Sequence, residues 1–426
     1  MRKVVIVASH FTPSNLTSVH RSRLWSLYLK EFGWNPIIVT THWKYYEEPP
    51  DWDLHKLVPD DLHVIRTKAI PTKPLRIVGD IGVRSFYWHY KALKDLANSK
   101  KIDFVLITIP SNYSALLGRM IWKNYRIPYG IDYIDPWVHE WPGVEKALSK
   151  AWFSYHLGRM LEPWATKNCK LITGVAEGYY KEVFIRNPQL VGKVKTAAMP
   201  YGISSCDFEL VKSKRRDAYL YADTREKFNI VYAGAMLPHA FGVLEKLFEG
   251  IRALIDNYQD AMQDVHFHFI GTGKKPEDAH AFNIIPIAKK IGVGVYVSEC
   301  PKRITYIDTL NHLLQSSAVL IVGSDRPHYT PSKVFQAIVC GKPVLALLHE
   351  ESTAVQVIQA CEAGRVITFR DPGSINVADL AENIVNFVRQ YKDSCFTPDL
   401  TNFEPYTARY SALCLAKLMH KVVEGN

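Results

Sequence analysis

Short runs of β-branched and aliphatic residues alternate with longer amphipathic stretches along the whole sequence, the pattern of strand–helix–strand units and parallel sheets. The first run, residues 3–8, leads through the loop 10–17 to a helix predicted over 19–32, which Gly33 stops. Further strands are predicted at 36–41, 62–66, 104–109, 129–133, 171–174 and 194–198, with helices at 111–124 and 144–167 among them. Met199-Pro200-Tyr201-Gly202 is turn chemistry, and after it the alternation restarts. The second series has strands at 229–233, 265–270, 294–298, 318–322 and 343–346, and helices at 242–258, 332–339, 379–391 and 406–423. A length of 426 residues exceeds one ordinary core, so two α/β domains are expected. Ligands then belong at the carboxyl ends of the strands, where the two sheets are expected to face each other across a cleft.

Composition narrows the function classes. Hydrophobic residues at 47% and charged residues at 22% describe a globular chain rather than a disordered one. The seven cysteines are scattered, odd in number and never spaced C-x-x-C, which excludes a disulfide framework and a zinc ribbon. A reducing cytoplasm is the expected location. Val4 to Val7 is too short an apolar run for a signal sequence, and no segment has the length of a membrane span. The net charge of +10 favours anionic partners, either nucleotide phosphates or the acidic inner face of a membrane touched peripherally. The dense run Lys212-Ser213-Lys214-Arg215-Arg216 reads as a solvated loop. No nucleic-acid-binding module is recognisable, so nucleic acid is not expected as a partner.

Several strand ends carry residues suited to ligands. The loop His10-Phe11-Thr12-Pro13-Ser14-Asn15 joins the first strand to a helix bearing Arg21, a corner equally compatible with an ordinary turn and with a binding loop. Gly271-Thr272-Gly273-Lys274-Lys275 also follows a strand, but its spacing is not that of a P-loop. The strongest candidate is the stretch 323–351, where Pro331-Ser332-Lys333 opens a helix after a strand. Proline in the first turn, a hydroxyl and a lysine suit an anion there, and Gln336 lies one turn on, within reach of a ribose. Asp132 and Asp135 end a strand before Pro136-Trp137; Asp132 reads as a turn or capping residue, and Asp135 stays open between that role and a cleft-facing carboxylate. Asp51-Trp52-Asp53 lies in a proline-rich loop and is not read as a metal site. His266 and His268 lack a third ligand. The aromatic helix through Trp152, Phe153, Tyr155, Met160, Leu161 and Trp164 reads as core, with a peripheral membrane face as its alternative.

The order of these parts resembles the GT-B glycosyltransferases, in particular the family 4-like group that includes bacterial polysaccharide enzymes. Phe11-Thr12-Pro13 with Arg21 is similar to the family's opening loop and helix. Asp132…Asp135-Pro136 is similar to its acceptor-side segment, and Met199-Pro200-Tyr201-Gly202-Ile203 to its P-N-G-V/I junction. Tyr232-Ala233-Gly234 resembles the start of the donor domain, and Pro331-Ser332-Lys333…Gln336…Gly341-Lys342-Pro343-Val344 the P-S-K-x-x-E…G-x-P-V donor motif.

The resemblance implies two Rossmann-like domains, residues 1–200 for the acceptor and 201–403 for the donor, with residues 404–426 forming a helix that crosses back to the first. It implies a transferase that is retaining and metal-independent, with no cofactor beyond its substrate, a UDP-, GDP- or dTDP-sugar. The acceptor would be a glycan or polyprenyl-linked. Donor contacts would fall on Gly234, Lys274, Arg303, Ile304, His328, Thr330, Ser332, Lys333 and Gln336, acceptor-side contacts on Ser14, Asn15 and Arg21, and catalysis on Asp135. The family's two glutamates fall here on His328 and Gln336, and its diphosphate-holding Arg and Lys on Ala235 and Phe241. Those departures support two alternatives, a non-catalytic sugar-nucleotide or glycan-binding subunit and a hexosamine-nucleotide 2-epimerase of the same architecture.

Overall fold

The computed structural model describes residues 1–425 other than 75, 77, 140–142, 214–215, 222–226, 274, 276 and 328–330. The chain forms two compact units, residues 1–202 with 407–426, and residues 203–406.

The first unit is built on a seven-stranded sheet: β1 (Arg2–Val7), β2 (Trp34–Thr41), β3 (His63–Thr67), β4 (Phe104–Ile109), β5 (Tyr129–Tyr133), β6 (Leu171–Gly174) and β7 (Lys195–Ala198). Their order is β3-β2-β1-β4-β5-β6-β7, all parallel. The chain winds outward from β1 to β3, then returns past β1 to β4. The crevice between the carboxyl ends of β1 and β4 is therefore the switch point at which open parallel sheets bind ligands. Both faces of the sheet are covered, which is why its strands are continuous apolar runs rather than alternating ones. Val4 and Ile6 pack against Trp25, Leu415 and Met419, while Val5 and Val7 pack against Leu93, Leu117 and Ile121.

The last helix, Ala408–Val423, lies beside helix Thr17–Tyr28, and Trp25 Nε1 donates to Ser411 Oγ at 2.9 Å. Where the chain leaves this unit and returns, the two passes touch. Gly202 has φ +72°, and a Cβ there would stand 2.7 Å from the Ala408 amide nitrogen. Only glycine satisfies both the left-handed backbone and that approach.

The second unit repeats the plan with six parallel strands: β8 (Phe228–Ala233), β9 (Val265–Ile270), β10 (Val297–Cys300), β11 (Ala318–Val322), β12 (Val344–His349) and β13 (Gly364–Phe369), in the order β10-β9-β8-β11-β12-β13. Its switch point lies between β8 and β11. Phe267, Phe269 and Ile230 pack with Leu244 and Phe248 of helix Phe241–Asn257 and with Leu380 and Ile384 of helix Val377–Tyr391.

Five strands, β4, β5, β6, β9 and β11, occupy the residues expected from the sequence. Other boundaries move. The helix expected over 19–32 is α-helical only over Thr17–Tyr28 and ends in a 3₁₀ turn, Leu29–Phe32. The strand expected at 294–298 is a 3₁₀ turn, Gly294–Tyr296, followed by β10. Helix Ile81–Asn98 and β13 were not expected at all. That helix carries Phe86-Tyr87-Trp88 and Val83, residues of low helix propensity, and its packing overrides them. The helix expected over 144–167 begins only at Lys150; Tyr155 and Leu161 pack against the core as expected, whereas Phe153, Leu157, Met160 and Trp164 face outward. Among the described residues no helix is long and apolar enough to cross a membrane.

Candidate functional site

In the second unit the strand ends converge on Lys333. Gly234 follows β8, Gly271 follows β9, Arg303 lies just beyond β10, and Lys333 opens helix Lys333–Val339 after β11. Gly234 has φ +119°, and a Cβ on it would come 2.7 Å from Lys333 Cε and 3.0 Å from its Nζ. A bare backbone at that position is what lets the lysine stem lie across the end of β8. Lys333 Nζ donates to the Tyr232 hydroxyl at 2.6 Å, and Tyr232 in turn donates to the Ala235 carbonyl at 3.0 Å. Loss of water pushes the Lys333 pKa down to about 7, and no charged neighbour among the described residues offsets that loss.

Ser332 precedes Lys333 at the start of the helix, and Gln336 lies one helical turn on from Ser332. Neither the Ser332 hydroxyl nor the Gln336 amide has a side-chain partner among the described residues. The helix itself spans only seven residues. Its dipole is correspondingly modest, and the anion-attracting feature is the lysine side chain. Phe335 stacks on Tyr406 with ring centroids 5.6 Å apart, anchoring the helix from its other side. His239, also near β8, stands 3.1 Å from the Asp325 carboxylate.

In the first unit, Arg21 and Asp132 form a fully buried pair. Arg21 Nε and Nη2 donate to the two Asp132 oxygens at 3.0 and 2.9 Å, and Thr173 Oγ1 donates to Oδ1 at 2.6 Å. Arg21 Nη1 donates to the carbonyls of Met199 and of Pro200, the latter at 2.8 Å. Arg21 is therefore a tie between the first helix, β5 and the domain junction, not the acceptor-facing group expected from the sequence. Asp132 is structural, through this pair rather than through capping. Ser14 is likewise buried, its hydroxyl donating to Glu48, whereas Asn15 is half-buried.

Asp135 is exposed at the end of β5 with no ion-pair or hydrogen-bond partner among the described residues. Lost hydration raises its carboxyl above the ordinary aspartate range, partly opposed by His139. Tyr179 and Tyr201 lie close enough that its charge adds to the rise that burial imposes on both phenols.

The sequence reading missed the hollow at the β1/β4 switch point. His10 and Ser111 from the ends of those strands, with Glu48, Asp80 and Arg84, line a cavity of about 260 Å³. Asp80 caps helix Ile81–Asn98 by accepting from Val83 N at 2.8 Å, and burial raises its pKa. Glu48 lies 3.7 Å from His10. The acidic pair Glu47-Glu48 in a proline-rich loop was the available signal, but nothing local links it to Asp80.

Lys274, His328 and Thr330, and Lys214 and Arg215 of the basic run, lie outside the described residues. Arg303 and Ile304 are half-buried beside Gly271. Asp51 caps a short helix by accepting from Leu54 N at 3.0 Å, and Asp53 pairs with Lys56. His268 bridges Ser298 and Asn229, its pKa pushed down to about 3 by burial. Among the described residues no group of three or more His, Cys, Asp or Glu is placed to hold a metal ion.

No protein-family model matches the sequence, and no curated protein matches it. Solved structures do. The chain is similar to Anabaena HepE in complex with UDP and glucose, with TM-score 0.55 and 11% identity over 100% of this chain and 98% of that one. A glycosyltransferase from Rickettsia africae gives TM-score 0.58 and 12% identity over 100% and 99%. The S. aureus MnaA–UDP structure gives TM-score 0.52 and 15% identity over 100% and 97%. At such identities the likeness establishes the fold, which is the two-domain α/β fold of the GT-B class.

Proposed function

We propose that this chain is a glycosyltransferase that takes a sugar from a nucleoside diphosphate donor held by the second unit and passes it to a glycan or polyprenyl-linked acceptor held by the first. One observation carries the reading. Lys333 holds an amine at the β8/β11 switch point, over the bare Gly234 backbone, with a tyrosine hydroxyl as partner and no carboxylate beside it among the described residues. A desolvated lysine so placed is stabilised as a cation by an arriving anion. A nucleoside diphosphate such as the UDP bound to HepE and MnaA supplies that charge.

In this reading the bond from the anomeric carbon to the β-phosphate oxygen breaks with its electron pair left on the phosphate. Lys333, held in place before the reaction by Tyr232, donates to that oxygen without reorganising. Gln336 bonds the ribose as a neutral partner, and Arg303 and Ile304 flank the base. Positive character on the sugar ring meets the Asp135 carboxylate, which otherwise orients the acceptor hydroxyl. The outcome is retention, and Lys333 rather than a metal meets the diphosphate. The acid-lined hollow of His10, Glu48 and Asp80 suits the hydroxyls of an acceptor.

Incubation with UDP-, GDP- and dTDP-sugars and a range of glycan and lipid-linked acceptors tests the proposal by release of nucleoside diphosphate. Interconversion of UDP-N-acetylhexosamines without acceptor would assign an epimerase instead. Binding with neither outcome would assign a non-catalytic subunit, the case Gln336 supports. Asp135→Asn is expected to lower kcat about tenfold, the loss of one charge-assisted contact. The wild-type rate should fall as pH drops through a pKa above that of ordinary aspartate, because the carboxylate is the active form. Full activity of the variant at saturating substrates would remove Asp135 from the reaction.

A further inference from the structure

We infer that helix Lys150–Thr166 docks the protein onto an anionic lipid surface. Tyr155, Leu161 and Ala165 of this helix pack with the core, yet a second apolar row points away from it. Gly158, Glu162, Ala165 and Thr166 make its buried side. Phe153, Leu157, Met160 and Trp164, at the spacing i, i+4, i+7 and i+11, form one stripe on the opposite side. Their exposures are 53, 39, 65 and 40%, and Leu148 just before the helix is 74% exposed. Single exposed apolar residues need no explanation, but a continuous stripe facing away from its own core does.

Charge selects the occupant. Between residues 146 and 170 the cations are Lys146, Lys150, Arg159, Lys167 and Lys170, and the one acid is Glu162. Glu162 is buried and held by Arg186 at 2.8 Å, so from Lys146 to Lys170 the exposed charges are cations, with exposed Glu145 the nearest acid before them. The neighbouring helix Ala115–Tyr125 adds Arg119 and Lys123 and contains no acid. Arg119 sits over the Trp164 ring at 4.8 Å, and Lys170 over Trp122 at 5.4 Å. An apolar stripe with indoles at its edge and a basic frame is the pattern of a helix lying at the headgroup boundary of a negatively charged membrane. A second copy of the chain would bring the same cations face to face, which disfavours a symmetric contact there.

Flotation with vesicles of phosphatidylcholine, alone or mixed with phosphatidylglycerol, tests this without any nucleotide. The full chain is expected to float with the phosphatidylglycerol vesicles at low ionic strength and to be released as salt rises. Lys150→Gln and Lys167→Gln should each weaken binding about fivefold. Phe153→Ser with Met160→Ser should weaken it about tenfold or more at an unchanged melting temperature, since both residues are exposed. A wild type that stays unbound at every phosphatidylglycerol content overturns the inference, as do variants that bind like it. A salt-resistant dimer lost in the Phe153/Met160 variant would assign the face to a second copy.

Discussion

Lys333→Met is expected to weaken UDP binding about 10- to 100-fold, the range for one charge-assisted contact in a desolvated site. It should cost kcat a further factor on the order of a hundred, because a preorganised donor to the leaving phosphate is gone. Methionine keeps the stem that crosses Gly234 and removes only the ammonium. Stability should move the other way. The folded pKa of about 7 lies below lysine's ordinary 10.5, so folding disfavours the protonated form, and this group's penalty grows as pH falls from 10.5 towards 7. Removing the lysine removes the penalty, so the melting temperature at neutral pH should hold or rise while affinity falls. Thermal melts and UDP titrations on the same sample check both halves. A variant that binds UDP like the wild type contradicts the assignment, and one that merely unfolds would show that Lys333 has a structural role.

Asp132→Leu should be the most damaging change to stability. It leaves the Arg21 guanidinium buried without its counter-charge, a loss of about 3–5 kcal/mol. The melting temperature of the first unit should fall on the order of 10 °C. Arg21→Met combined with Asp132→Leu should recover much of that loss, since two apolar residues remove the stranded charge. Recovery should be incomplete, because the carbonyls of Met199 and Pro200 lose their donor in the double variant. If the double variant is no more stable than the single one, the pair is not the coupling that holds helix Thr17–Tyr28 to β5.

These two cases also mark what was and was not legible in the sequence. The two parallel sheets were legible because strands covered on both faces must be unbroken apolar runs, as at 104–109 and 265–270. Strand order was not, since no local pattern says that the chain returns past β1 to reach β4. Lys333 and Gly234 stand out through motif resemblance, yet their contact spans about a hundred residues and appears only when β8 and β11 lie side by side. Arg21 was misread for the same reason, because its partner is 111 residues away and a buried arginine looks like an exposed one until packing is known. Helix Lys150–Thr166 misled through its apolar content, which names a stripe but not the side it faces.

Calorimetric titration of UDP at pH 8, repeated in buffers of different ionisation enthalpy, addresses the Lys333 assignment most directly. The amine is largely neutral in the free protein at that pH, and the diphosphate should draw a proton onto it, giving uptake approaching one proton per nucleotide in the wild type and none in Lys333→Met. Tight binding with no proton uptake, or equal uptake in both proteins, would mean that the nucleotide sits elsewhere.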